Sequence, residues 1–113
     1  VPEVETLADS LQGGIGLDNH HSFEMVRDLV DDLVLVSEEQ IAVAMAEAVI
    51  EERMIFEGAG ATPIAALLHE DRSLFGNHIA LVASGAMVDA AVLENVVGEH
   101  RRTVSRLLDR DTT

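Results

Sequence analysis

Two short stretches hold the residues best suited to chemistry. In HIALVASGAMVDAAVL, His78 to Leu93, five apolar residues able to form a strand, Ile79 to Ala83, are broken by Ser84-Gly85 before a helical pattern resumes. A Ser at the carboxyl end of a parallel strand can direct its hydroxyl at a ligand in the crevice, and the next helix N-terminus adds backbone donors. The same spacing also serves a plain strand-to-helix turn with Ser as its cap. In EGAGA, Glu57 to Ala61, small residues let a backbone come close to a ligand or to another helix. A Glu57 carboxylate in apolar surroundings needs a partner; tight packing beside a solvated Glu is the simpler reading. A phosphate loop of the GxxxxGK[ST] type is excluded, because it needs a Lys and the chain has none.

Two further clusters are weaker. LQGGIGLDNHH is Gly-rich at Gly13-Gly14 and suits the lining of a pocket. Its His20-His21 pair is adjacent, so on a regular element the two rings point apart, which is poor geometry for a metal. Asp28, Asp31 and Asp32 follow no calcium-loop pattern and read as a solvated helix end. No metal site is expected.

These residues must be positioned by short elements. Residues 1–14 look irregular and end at Gly13-Gly14. Ser22 is placed to cap a helix through Val30, with Phe23, Val26, Leu29 and Val30 on one face and Arg27 and Asp31 spaced i, i+4 outside. Leu33 to Val36 reads as a short buried strand. Ser37-Glu38-Glu39-Gln40 is a capping box that opens a helix to about Arg53, with Ile41, Ala44, Met45, Ala48 and Val49 as its apolar stripe. Met54 to Phe56 is extended. Pro63 suits the first turn of a helix over about 62–69, almost wholly apolar and therefore expected to be buried. A polar loop, strand Ile79 to Ala83 and a helix from about Val88 to Val97 follow. Gly98 interrupts, and helical periodicity resumes from Glu99 to Arg110. This alternation predicts an α/β fold, short parallel strands covered by helices. Two parallel strands are not a stable sheet alone, so the pattern also points to an incomplete domain.

Composition narrows the function. A chain of 113 residues, 48% hydrophobic, is one domain or part of one. No apolar run approaches the roughly 20 residues that span a bilayer. The net charge of −14 disfavours nucleic acid and anionic membrane as partners. With no Cys, disulfides and thiolate chemistry are excluded, and a cytoplasmic setting fits. All seven cations are Arg, as in a high-salt cytoplasm or a genome that encodes Arg in place of Lys. The chain opens on Val1, which suggests a processed product or a piece of a longer protein.

Four motifs together carry a resemblance. ETLADSLQGGIGLDN, FEMVRDLVDDLVLVSEEQIAVAM, FEGAGATPIAALL and LVASGAMVD stand in the order and spacing of the pyridoxal-phosphate serine/threonine dehydratases. That group, the threonine ammonia-lyases, includes serine racemase and has the tryptophan-synthase-β-like fold, fold type II. The branch most resembled is that of ectoine or hydroxyectoine utilisation. The likeness covers about Glu5 to Asp89, and on it this chain is the C-terminal part of a catalytic domain.

The resemblance implies roles. Ser84, with Gly85, would hold the pyridine nitrogen of pyridoxal 5′-phosphate; a hydroxyl there keeps the ring neutral or weakly protonated. Glu57 would sit beside the ring, and Gly13 and Gly14 would line its face. The turn reads SGAM where the family usually has SGGN, so Ala86 and Met87 replace Gly and Asn. The family's Schiff-base Lys and phosphate-binding loop would lie on an N-terminal part before residue 1. The partners implied are that Lys-bearing part or companion chain, an amino-acid substrate and further copies of the assembled enzyme. The reaction implied turns a 3-hydroxy amino acid into a 2-oxo acid and ammonia; this chain alone, lacking Lys, would be inactive. The alternative is a non-catalytic, independently folded or oligomeric interaction module derived from the family.

Overall fold

The capping box at Ser37 starts the helix on which the molecule is built. The Ser37 hydroxyl accepts the Gln40 N–H at 3.2 Å, and the Gln40 side chain accepts the Ser37 N–H at 2.8 Å. The computed structural model describes residues 4–111, so the first three residues of the expected irregular opening lie outside it. Among the described residues there are four α-helices: α1 (Ser22–Leu29), α2 (Glu38–Ile50), α3 (Gly58–His69) and α4 (Ala90–Asp111). Two 3-10 turns, Asp9–Leu11 and Arg72–Leu74, complete the elements.

Helix α2 is the centre. Ile41, Ala42, Val43, Ala44, Met45, Ala46 and Ala48 are all buried, because α3 and α4 both pack on it. A helix apolar nearly all round needs such cover. From α3 come Ala61 and Ala65; from α4 come Val96 and Val104. His100 is also buried on α4, with its Nδ1 3.4 Å from a Glu39 carboxylate oxygen at the start of α2.

Helix α3 begins at Gly58, earlier than its proline suggests, with Glu57 in the N-cap position. Pro63 is thus inside the helix. It has no N–H for the Ala59 carbonyl, and the Thr62 hydroxyl donates to that carbonyl instead, at 2.9 Å. This local substitution lets the helix run through the proline to His69. The helix is half-buried rather than enclosed: only Gly58, Gly60, Ala61 and Ala65 are fully covered.

The expected α/β architecture is not found. No strand occurs among the described residues, and the elements are helical. Leu33 to Val36 and Ile79 to Ala83 have no regular secondary structure and form no ladder. They are also not buried strands: Leu35 is 93% exposed and Val82 83%. A strand is completed by a neighbour's hydrogen bonds, and neither segment has one here. Other expectations shift as well. Ser22 is the first residue of α1 rather than its cap; the Asn19 side chain accepts the Phe23 N–H at 2.8 Å. Arg27 pairs with adjacent Asp28 at 2.7 Å. Helix α2 stops at Ile50, and Arg53 takes a left-handed φ of 57° just beyond it. Gly98 does not interrupt α4, since a single glycine costs an exposed helix only about 1 kcal/mol.

Candidate functional site

The first turn of α3 receives two other segments of the chain, and its small residues explain how. A Cβ on Gly58 would lie 2.1 Å from the Leu7 carbonyl oxygen, and one on Gly60 would lie 1.7 Å from the Ser84 carbonyl oxygen. Both glycines are therefore needed for close backbone approach. EGAGA admits neighbouring chain rather than only a helix face, and one of the neighbours is the Ser84 turn.

Glu57 holds that turn by two hydrogen bonds. Its backbone N–H donates to the Gly85 carbonyl at 3.0 Å, and its Oε2 accepts the Met87 N–H at 3.0 Å. Gly85 has φ +79, and a Cβ there would fall 2.6 Å from the Glu57 carboxyl carbon. Only glycine fits at this point without strain. The Ser84 side chain is exposed and its hydroxyl makes no hydrogen bond among the described residues.

On the other side of Gly58, Glu38 of α2 fastens the N-terminal segment. Its carboxylate accepts the Thr6 hydroxyl and, at 2.8 Å, the Leu7 N–H. Glu38 thus both favours the positive end of the α2 dipole and anchors a distant segment. Between these straps lies a cleft of about 440 Å³, lined by Thr6, Leu7, Glu38, Glu57, Gly58 and Met87 among others.

Of the residues singled out in the sequence, the structure brings Glu57, Ser84 and Gly85 together. It does not bring Gly13 and Gly14 to them. Both are exposed, and Gly14 lines a separate cleft with Ile15, Gly16, Leu17, Asn19 and Phe23. The roles of Met87, Gly60 and Glu38 were not evident from sequence. Their partners lie far off in sequence, 30 positions for Met87 and 31 and 32 for Glu38, so the contacts leave no periodic signal; only the run of small residues hinted at Gly60. Among the described residues, no group of three His, Asp or Glu side chains is arranged to hold a metal ion. None of the described helices is long and apolar enough to cross a membrane.

The family described as pyridoxal-phosphate dependent enzyme matches residues 1–85. The chain belongs to this family. It is similar to a protein of Sinorhizobium fredii named for threonine dehydratase, 45% identical over 97 residues, covering 86% of this chain and 29% of that protein. It is 37% identical to the L-threonine ammonia-lyase of Geobacter sulfurreducens, over 86% of this chain and 24% of the relative. A catabolic L-threonine dehydratase of Staphylococcus aureus is 36% identical, over 87% and 28%. No solved structure matches the chain. The resemblance carried by the four motifs is borne out, and the chain spans less than a third of the length of these relatives.

Proposed function

We propose that this chain forms one wall of a pyridoxal-phosphate-dependent ammonia-lyase that converts serine- or threonine-like 3-hydroxy amino acids to a 2-oxo acid and ammonia. The observation that carries the reading is the Ser84 turn. Its side chain is exposed and its hydroxyl makes no hydrogen bond among the described residues, while the backbone around it is fixed by Glu57, Gly60 and Gly85. An open hydroxyl on a held backbone suits a neutral ring nitrogen, because it can donate without carrying charge.

In this proposal Ser84 donates to the pyridine nitrogen, Gly85 allows the turn, and Glu57 stands beside the ring. When bound, the cofactor supplies an electron sink for negative charge at the substrate α-carbon as the 3-hydroxyl leaves. Gly13 and Gly14 are assigned to the cofactor's face by family resemblance alone, since both are exposed and Gly14 lines another cleft. With no Lys among its 113 residues, the chain takes its Schiff-base amine, and the base it provides, from a Lys-bearing part of a longer chain or a companion. The working assembly is proposed as a cytoplasmic homo-oligomer.

The test is the assembled protein, Lys-bearing part included, supplied with L-serine and L-threonine. Release of a 2-oxo acid, lowered by Ser84→Ala, supports the reading. No 2-oxo acid from any 3-hydroxy amino acid refutes it. Unchanged activity in Ser84→Ala removes the role given to Ser84.

A further inference from the structure

We infer that Glu57 is a positioning residue: it clasps the 85–87 backbone so that the Ser84 hydroxyl is presented in one orientation. The inference deepens the proposed function and rests on it for what the hydroxyl contacts. Glu57 occupies the N-cap position of α3, yet its side chain makes no capping bond to its own helix. The carboxylate instead reaches across 30 positions to the Met87 N–H. Together with the bond from Glu57 N–H to the Gly85 carbonyl, this makes a two-bond ring between one residue and the turn. Gly85 lies directly beneath the carboxylate, and the Ser84 carbonyl is seated on Gly60. Ser84 is therefore held on both sides while its own side chain is untouched.

The clasp also accounts for the SGAM sequence. It uses the N–H of residue 87, which any residue but proline supplies, so Met can stand where the family usually has Asn. Among the described residues of the turn, only Gly85 has positive φ. Ala86 therefore needs no glycine. The departures fall on positions the clasp does not constrain, and Gly85, which it does constrain, is kept.

The test uses amide hydrogen exchange and Ser84 Cα and Cβ shifts by NMR on the assembled protein, Lys-bearing part included, in the parent, Glu57→Ala and Glu57→Gln. Losing a hydrogen bond to a charged acceptor should speed Met87 amide exchange about tenfold in Glu57→Ala and move the Ser84 signals. Glu57→Gln keeps a carbonyl acceptor and should stay near the parent. Amides of α2, Ile41 to Ala48, report the fold as a whole and should be unaffected. Unchanged Met87 exchange in Glu57→Ala overturns the inference, as does equal acceleration in both variants. Loss of α2 protection along with Met87 also overturns it, since Glu57 would then support the fold at large. In the assembled enzyme, both Ser84→Ala and Glu57→Ala should alter the pyridoxal absorption spectrum. An effect of Ser84→Ala without one of Glu57→Ala defeats the clasp and leaves the functional reading standing. An unaltered spectrum in Ser84→Ala defeats that reading, and the exchange data then judge the clasp alone.

Discussion

Two glycines in helices should respond to alanine with opposite sign. Gly60 and Gly98 each lie inside a helix, α3 and α4. On helix propensity alone, alanine should stabilise both by about 1 kcal/mol. At Gly98 nothing lies within 4 Å of the added Cβ, so the propensity gain stands. At Gly60 the Cβ would sit 1.7 Å from the Ser84 carbonyl oxygen, well inside the 3.0 Å that real Cβ atoms keep. The obstacle is backbone, not the end of a flexible side chain. Either α3 or the turn must move by about 1 Å or more, and overpacking of this kind costs about 1–3 kcal/mol. Net of propensity, Gly60→Ala should destabilise by up to about 2 kcal/mol, lowering Tm by roughly 4–8 °C per kcal/mol, while Gly98→Ala raises it by a few degrees. Urea and thermal unfolding of both variants, followed by circular dichroism, measure the difference. A stabilised Gly60→Ala would refute the close approach of α3 to the Ser84 turn. A destabilised Gly98→Ala would refute the continuous α4.

The other predictions concern the core, its caps and two partly buried titratable groups. Met45, 1% exposed at the centre of α2, should cost about 2–5 kcal/mol as Met45→Ala, measured by urea unfolding. Ser37→Ala removes the cap of α2 and should cost about 1 kcal/mol, with Ser37→Asp close to the parent. Burial holds the His69 imidazole below the usual His range, against the opposing pull of Glu70 and Glu39, and its Nε2 has no hydrogen-bond partner among the described residues. The unfolded chain therefore takes up the proton first, and stability should fall as pH drops through about 6.5. His69→Gln should flatten that slope between pH 5.5 and 7.5; an unchanged slope would contradict it. Burial, with Glu52 and Glu51 nearby, raises the Glu47 carboxyl above the usual range. Its ionisation opposes folding as pH rises above about 4.5, so Glu47→Gln should raise Tm at pH 7 and have less effect at pH 4.

Much of the helical framework was legible because its signals are local. Ser37 and Gln40 are three residues apart and announce the start of α2; the apolar content of 41–48 announces its burial. That the two expected strands do not form was not legible in the same way. Ile79 to Ala83 has the composition of a buried strand, but burial and pairing depend on a neighbour, and composition does not say whether one is present. Gly98 misled for a related reason: its cost is small beside the packing of Val96, His100 and Val104 on α2. At the site, Ser84, Gly85 and Glu57 were found through motifs, and the structure places them together. Their connection through the Met87 amide was hidden, because a backbone N–H has the same letter code whether or not it is used. Gly13 and Gly14 were grouped with them by motif, and the structure places them elsewhere.

The central claim is that this chain works as one wall of a pyridoxal-phosphate enzyme whose Lys lies outside these 113 residues. Size-exclusion chromatography of the native protein, with intact mass and cofactor absorbance on the eluted peak, tests it most directly. The account predicts that these residues elute with a Lys-bearing part, on the same or a second chain, with pyridoxal phosphate attached to that Lys. A folded 12.2 kDa species eluting alone and free of cofactor would contradict it.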